Sequence, residues 1–535
     1  MLQVCVLISS YEETNSPFEK YDNYQDPSRY VSSDKYKFHL RFIKKETAFA
    51  QLQSIYEENF DVYINFLWGQ EYEEVAGIEA LKFIENKGVP IVGTSSKFLS
   101  LSKLDFKFAA KKHGIPVPEY NIVKDKIESF SLNKYPLIVK PSRGCGSQHM
   151  TEKSVCHNIE ELKAEINKLI DEVECEILVE EFIIGREFSV MVIEGEHGVF
   201  AMTPIVYSFP SYMTQLEQFL HFENKFDSIE QKKITYSLAS EEDSLVKKLK
   251  DIACRSYCAL DVHGCGYARV DLRVDEHDNI YVLEVNPTPA FFCQYGNEFG
   301  DDYVIDKCFP GKHEGLIDLL INSKLKLSTI RQEYDKMSDR YDGILNTSNI
   351  PNIIRKMVLT YDFSGIVLDL GCGTGIFGKI INDYGQDAEM IGVDLSPKMT
   401  EKAAGYSVIE IGLMQDVVFS LKHRKIDHVV STGALHFLNN DVFKSTLMRL
   451  FEIADKSITL SIEDIPEEYN QNLIRLGVAS MYSYNNTFVA ENIIIPKDWE
   501  RVHREYTYMW KSPATGNNIY GTIFRFERTG SRRNW

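Results

Sequence analysis

The chain has 535 residues, which at roughly 150 residues per domain is too long for a single core and predicts three or four folded units. Lys plus Arg number 59 against 78 Asp plus Glu, a net charge of −19 that disfavours nucleic acid as partner, while 44% hydrophobic and 26% charged residues exclude wholesale disorder. No apolar run approaches the roughly 18–20 residues of a membrane span, the opening MLQVCVLISSYEE lacks a basic region and cleavage site, and the ten cysteines form no CxxC pair; a soluble cytoplasmic protein without membrane partners is expected.

In chain order, apolar runs at Val4–Ile8, Val62–Phe66 and Val89–Val92 alternate with helical stretches such as Glu73–Asn86. That is the pattern of a small parallel α/β domain over residues 1–98, with the polar, Tyr-rich Thr14–Lys37 read as loop. Residues 99–325 change to strands joined by hairpins, with helices at Lys103–Lys112, Ile159–Val173 and Ser244–Tyr257, a mixed α+β domain. A charged helix, Ser328–Met337, leads into a domain over residues 330–535. Its predicted strands Ile366–Asp369, Glu389–Asp394, Ser407–Ile411, His428–Thr432 and Ser457–Ile462 each precede a helix, which predicts a doubly wound sheet. Val502–Trp510 and Asn518–Glu527 flank SPATG and read as a closing antiparallel hairpin. The class of periodicity changes near residue 325.

The chemistry of the first half begins with ARVDLRV and YVLEVN, two alternating runs separated by a turn-like segment. A hairpin looped at Glu276–Asn279 sets Asp271 opposite Glu284 and Arg269 opposite Asn286 on one face. Facing carboxylates destabilise a ladder unless a hard divalent cation sits between them, and Mg²⁺ so held also takes phosphate oxygens. The alternative is a solvated hairpin face. Upstream, the strand Leu137–Lys140 runs into the Gly-rich turn Pro141–Ser147, whose backbone N–H groups suit a phosphate, with Lys140 as a point charge. Ile177–Ile183 reads as a strand whose backbone suits an adenine edge; for Glu180 and Glu187, taken alone, surface charge is the alternative.

Together these segments carry a resemblance. Lys103 and Lys107 before HGIPVPEY, then VKPSRGCGS, VEEFIIGREFSV, ARVDLRV and LEVNPTP, stand in the order found in ATP-grasp carboxylate–amine ligases and most resemble the D-alanine–D-alanine ligase branch, over about residues 1–322. The resemblance implies an ATP-grasp fold of three subdomains. It implies that Lys107, Lys140 and Ser147 contact ATP phosphates, that Glu180, Glu181, Phe182 and Ile183 frame adenine, that Glu187 holds the ribose, and that Asp271, Glu284 and Asn286 hold Mg²⁺. Lys140 and Arg269 would act in catalysis, Arg269 on the tetrahedral oxyanion, with a plain counterion to Asp271 as its alternative. Where D-alanine ligases continue past Asn-x-x-Pro with small residues and a hydroxyl, this chain has Ala290-Phe291-Phe292-Cys293-Gln294-Tyr295, so a substrate larger than alanine is expected. Phe209–Phe226 suits a flap, and Glu12 or Glu13 a substrate ammonium, with a solvated loop carboxylate as the alternative.

In the second half, Ile366–Gly375 is a strand entering a Gly-rich turn. Gly373-x-Gly375-x-x-Gly378 also meets a dinucleotide spacing, so hydride transfer must be weighed. Asp369 argues against it: a carboxylate where pyrophosphate would sit suits a ligand with ammonium and sulfonium groups. Asp394, after the second strand, suits ribose hydroxyls. With Glu333-Tyr334-Asp335 and Tyr341-Asp342 ahead of the sheet, residues 330–530 resemble class I SAM-dependent methyltransferases in a Rossmann-like fold. The resemblance implies S-adenosylmethionine contacts from Tyr341, Asp369, Gly371, Gly373 and Asp394, with Gln415 or Asp416 near adenine. His436 lies where a general base would face the methyl group, or is a structural histidine at a helix start.

The fusion predicts a bifunctional enzyme of small-molecule secondary metabolism, using ATP, Mg²⁺ and S-adenosyl-L-methionine on amino-acid-like substrates, and compatible with a homodimer. Two alternatives are modification of a peptide or protein end, and a sensor in which one domain binds its nucleotide without turnover. The retained Lys140, Arg269, Asp271, Glu284 and Asn286 argue against a dead ligase.

Overall fold

A computed structural model describes residues 1–20, 24–32, 34–124, 134–144, 146–195, 198–222, 234–260, 262, 264, 266–294, 300–421, 425–476 and 486–529. The chain divides into two compact units, the first holding Met1–Gly195 and Val199–Lys324, the second Leu325–Trp535. Among the described residues no helix is long and apolar enough to cross a membrane.

The first unit opens with a four-stranded parallel sheet in the order Tyr36–Ile43, Leu2–Ser9, Val62–Phe66, Ile91–Gly93. The central strands are buried on both faces, and helices Ala48–Glu57 and Ile78–Glu85 cover the face that carries Cys5, Leu7 and Tyr63. Two features differ from the sequence reading. The helix begins at Ile78 rather than Glu73, because Gly69 and Gly77 form a bridge so close that a Cβ on Gly77 would lie 1.8 Å from the Gly69 carbonyl oxygen. Tyr36–Ile43 is a strand whose half-exposed residues mask the alternation.

Two further sheets follow. One is antiparallel, in the order Tyr120–Val123, Ile177–Glu181, Leu137–Pro141, Val155–Cys156, backed by the amphipathic helix Ile159–Glu172. The other runs Thr235–Leu238, Ile205–Ser208, Arg186–Gly195, Tyr267–Val274, Ile280–Asn286. Its last hairpin pairs Arg269 with Asn286 and Asp271 with Glu284, the register that the alternation predicts, with a bulge after Asp271. Asp275 closes the turn by accepting the His277 and Asn279 N–H groups, both at 2.9 Å. The charged helix expected at Ser328–Met337 is the end of a longer one, Lys312–Met337, since nothing between breaks it.

The second unit is a seven-stranded sheet in the order Tyr406–Ile411, Ala388–Asp394, Gly365–Leu370, Ile426–Ser431, Ala454–Asp464, Asn518–Arg528, Trp499–Lys511. The first five strands are parallel and the last two form the antiparallel hairpin around SPATG. Strand order reverses between Gly365–Leu370 and Ile426–Ser431. Such a reversal opens a crevice at the carboxyl ends of the strands, where α/β sheets bind ligands.

Candidate functional site

The first cleft is built by a helix, two strands and a turn. Helix Lys103–Lys112 starts at a capping box in which Ser102 accepts the Asp105 N–H and Asp105 the Ser102 N–H. One helical turn then puts Lys103 and Lys107 on the same face. Lys107 is fully buried, with its Nζ 2.6 Å from Glu180, whose other oxygen lies 2.5 Å from Lys140. Burial pushes the Lys107 pKa down to about 8, against the pull of Glu180. Burial alone would raise the Glu180 carboxyl, but Lys107 and Lys140 outweigh it and hold its pKa below the usual value. The carboxylate expected near an adenine therefore bridges the two lysines expected on phosphates, and what Glu180 offers the cleft besides is its backbone.

Lys140, Ser147, Glu180, Glu181, Phe182, Ile183, Glu187, Asp271 and Glu284 all line one cleft of about 870 Å³, whereas Lys107 lies behind its wall. In the Gly-rich turn, Gly144, Gly146, Ser147 and His149 have left-handed φ values of 108°, 60°, 61° and 61°, which turns the chain sharply beside Lys140. Glu187 pairs with buried Arg273 at 3.0 Å, and the Arg273 guanidinium lies 4.8 Å over the Phe182 ring. Arg273 was missed in the sequence, although its place two residues after Asp271 sets it on the same strand face.

Arg269, Glu284 and Asn286 line an adjoining cleft of about 780 Å³ walled by Trp68, Phe98, Leu99, Leu101, Phe106 and Leu260. Arg269 grips both Asp271 oxygens at 2.8 and 2.9 Å and reaches Asp301 at 3.3 Å. Burial opposes the guanidinium charge, yet the two aspartates outweigh it and raise its pKa, while Asp301 is itself pushed up to about 6 by burial. Ser189 donates to Asp271 at 2.6 Å, Lys103 stands 3.6 Å from Glu284, and Asn286 accepts the Thr288 N–H at 2.9 Å. Asp271, Glu284 and Asn286 thus present hard oxygen donors on one hairpin face, with cations already beside both carboxylates.

One expectation around this cleft is corrected and two others are met only in part by the described residues. Phe291 and Phe292 do not line it; they are 0% and 1% exposed and pack against Phe66 and Tyr267. Asp302 holds them there, accepting the Phe292 N–H at 2.7 Å and facing His313 at 2.8 Å. Glu12 and Glu13 stay exposed and pair with Lys44 at 3.0 and 3.6 Å, which favours the solvated-loop alternative. In the flap segment, described to residue 222, Phe219 seats against Phe182 with ring centroids 5.7 Å apart; Tyr295 and residues 223–226 lie outside the described residues.

The second site sits at the crevice of the seven-stranded sheet. Gly371 has φ 77°, and a Cβ there would lie 2.3 Å from that of Ala434, so only glycine fits this crossing. Tyr341, Gly371, Gly373, Asp394 and Gln415 line a cavity of about 870 Å³. Asp394 accepts the Gly373 N–H at 2.8 Å and the Ser396 N–H at 2.9 Å, and burial raises its pKa despite these bonds. Asp416 is buried and lines neither this cavity nor the adjoining one of about 1330 Å³. The adjoining cavity takes Asp369 and His436, and shares Tyr341, Gly371 and Gly373. Tyr406 donates to Asp369 Oδ2 at 2.6 Å, while the buried Oδ1 has no hydrogen-bond partner among the described residues. Burial pushes the Asp369 carboxyl up to about 7, in spite of Tyr406.

Residues 109–294 match the family described as D-ala D-ala ligase C-terminus, and residues 367–456 the methyltransferase domain. The D-alanine–D-alanine ligase of Mannheimia succiniciproducens is 28% identical over 258 residues, 46% of this chain and 75% of that one. That of Francisella tularensis subsp. novicida is 28% identical over 199 residues, 36% of this chain, and the chain spans 59% of its length. Among solved structures, the D-alanine–D-alanine ligase of Bacillus anthracis complexed with ATP has a TM-score of 0.44 at 17% identity, covering 61% of this chain and 99% of that one. The chain therefore carries a ligase domain of the D-alanine–D-alanine ligase type followed by a methyltransferase domain. It is a ligase and a methyltransferase in one polypeptide.

Proposed function

We propose that the chain couples ATP-dependent ligation of an amino-acid-like carboxylate to an amine with S-adenosylmethionine-dependent methylation of the substrate or product, in small-molecule biosynthesis. The observation that carries the first half is the convergence of Lys140, Ser147, Glu180, Glu187, Asp271 and Glu284, scattered over the sequence, on one cleft. Relatives named as D-alanine–D-alanine ligases support carboxylate–amine bond formation.

In this reading Lys140 meets the phosphates, and ligand oxygens compete with Glu180 for its charge. The hairpin donors fit Mg²⁺, which Asp271, Glu284 and Asn286 would hold and which supplies charge neutralisation for the triphosphate. The substrate carboxylate attacks the terminal phosphorus and ADP leaves; the amine then displaces phosphate from the acyl phosphate. Arg269, at the boundary of the two clefts and fixed by Asp271 and Asp301, directs its charge at the developing oxyanion without needing to reorient. The aromatic and leucine walls of the adjoining cleft favour a carboxylate partner larger than alanine.

In the second unit Asp369 meets the ammonium of S-adenosylmethionine, Asp394 the ribose hydroxyls and Gln415 the adenine side, and His436 takes a proton from the methyl acceptor. The deciding experiment supplies purified protein with Mg²⁺-ATP, pooled amino acids and S-adenosylmethionine, and follows ADP and product mass. Substrate-dependent ADP that vanishes in Glu284→Ala, with a condensed product one methyl heavier when S-adenosylmethionine is present, is expected. Absence of ADP with every pool would overturn the ligation.

A further inference from the structure

The larger cavity of the second unit reaches past the residues assigned above to S-adenosylmethionine. It shares Tyr341, Gly371 and Gly373 with the cavity that holds Asp394 and Gln415, so the two adjoin. Beyond the residues the two share, its walls are largely apolar and include Leu345, Ile350, Tyr469, Leu473 and Trp510, ending at Ser512–Ala514. Among the described residues, the ionisable side chains on them, apart from tyrosines and Cys372, are Glu333, Asp369, His436 and Lys511.

His436 is the informative one. It is 4% exposed, and its Nδ1 lies 3.2 Å from Glu463 Oε2. Glu463 is held in turn: Ser461 Oγ donates to Oε1 at 2.8 Å and itself accepts the Gly433 N–H at 3.2 Å. A carboxylate beside Nδ1 keeps the proton on that nitrogen and leaves the lone pair on Nε2. Nε2 is buried and has no hydrogen-bond partner among the described residues. A buried acceptor left bare is costly, which points to a ligand that brings a donor.

We propose that this cavity is the methyl-acceptor site and that it takes a primary or secondary amine borne on an apolar, ring-containing body, with Glu463 as the positioning residue for His436. The proposal rests on the methyltransferase reading above and names its substrate class. A carboxylate acceptor would need no base and, with Asp369 engaged by the cofactor's ammonium, would face Glu333 and the Glu463 carboxylate behind His436, with Lys511 as its one cation on these walls. An ammonium is attracted by the same carboxylates and by aromatic faces. It must lose a proton before it is a nucleophile, and Nε2 is placed to receive one. The balance is complete: the ammonium N–H proton passes to Nε2, the amine lone pair forms the N–C bond to the methyl carbon, and the C–S bond breaks. Its electron pair stays on sulfur, so the sulfonium becomes a thioether, and the proton on His436 leaves to water.

The test compares phenethylamine, 2-phenylethanol and 3-phenylpropionate, by calorimetry on the full chain loaded with S-adenosylhomocysteine and by methyl transfer from S-adenosylmethionine. The amine should bind roughly tenfold tighter than either analogue and be the one methylated. If the cofactor binds but the acid or alcohol matches or exceeds the amine, the acceptor class is wrong while the methyltransferase reading stands. If the cofactor does not bind, the reading itself falls, and the proposal with it. Glu463→Gln should lower kcat roughly 10²-fold with little change in the KM for amine. Glu463→Asp should restore part of the rate. A wild-type kcat in Glu463→Gln overturns the positioning role. If that variant fails to bind cofactor, His436→Asn decides: its rate should track the free-amine fraction as pH rises, and an unchanged profile overturns the role of the pair.

Discussion

The two clefts handle charge in opposite ways. In the ligase unit the charges are matched before any ligand arrives: Lys107 and Lys140 by Glu180, Arg269 by Asp271 and Asp301, Arg273 by Glu187. In the methyltransferase unit Asp369 Oδ1 and His436 Nε2 are buried and unmatched among the described residues. A polyanion entering the first cleft must exchange ion pairs and so is best accompanied by a metal. A cation entering the second needs only to complete what is there. Low dielectric makes both arrangements consequential, since a buried charge is stable only with its partner and an empty acceptor gains most from a donor.

The sharpest way to break this contrast is to unpair a buried charge in the first cleft. Arg269→Ala strands Asp271 and Asp301 against each other and should cost about 3–5 kcal/mol of stability, the range for removing one member of a buried pair. The urea midpoint of the first unit reads it, and a midpoint near wild type would mean that water already screens the cluster. Lys140→Met is different, because Glu180 keeps Lys107 as partner. Stability should fall less, while substrate-dependent ADP release falls roughly 10²–10³-fold, as for loss of one electrostatic stabiliser of a transition state. Equal losses of stability and rate in both variants would erase the distinction.

In the second cleft the corresponding change should do the reverse. Asp369→Asn removes a charge that the apo protein holds at a cost, since burial has raised that carboxyl to about 7. A raised carboxyl imposes no penalty below its unfolded pKa. The penalty grows as pH rises toward the folded value and is constant above it, so the variant should be more stable than wild type above pH about 7. S-Adenosylmethionine affinity should weaken roughly 10–100-fold, the scale of a charged hydrogen bond. In the wild type, affinity should strengthen as pH rises through about 7, where Asp369 ionises; a flat pH dependence by calorimetry would remove Asp369 from the ligand's ammonium.

How far each cleft was legible in sequence follows from the range of the interactions. The hairpin bearing Asp271 and Glu284 could be read because alternation fixes which side chains share a face and Asp275 closes the turn. The crevice in the second unit could be read because each strand precedes its helix and Asp369 stands at a strand end. The Lys107–Glu180–Lys140 bridge could not, because it joins a helix to two strands whose packing has no local signature. The inward turn of Phe291 and Phe292 was equally hidden, since it depends on Asp302 and His313 and on a φ of 60° at Phe292, a conformation that bulky residues rarely adopt. Glu463 could have been found: it lies near the carboxyl end of the fifth parallel strand, where sheets of this kind gather functional groups.

The smallest expected effect tests a residue that the sequence left open. Glu12→Gln removes an exposed carboxylate that stands 3.0 Å from Lys44, with Glu13 a further 0.6 Å away from the same ammonium. An exposed pair in high dielectric contributes little, and Lys44 keeps Glu13 as a second partner. Unfolding midpoint, ADP release and the KM for amine should all remain at wild-type values. A selective rise in that KM would mean that the loop closes on the substrate and exchanges Lys44 for the substrate ammonium. The first cleft would then resemble the second in keeping a carboxylate ready for a cation, and the contrast between them would be confined to the phosphate side.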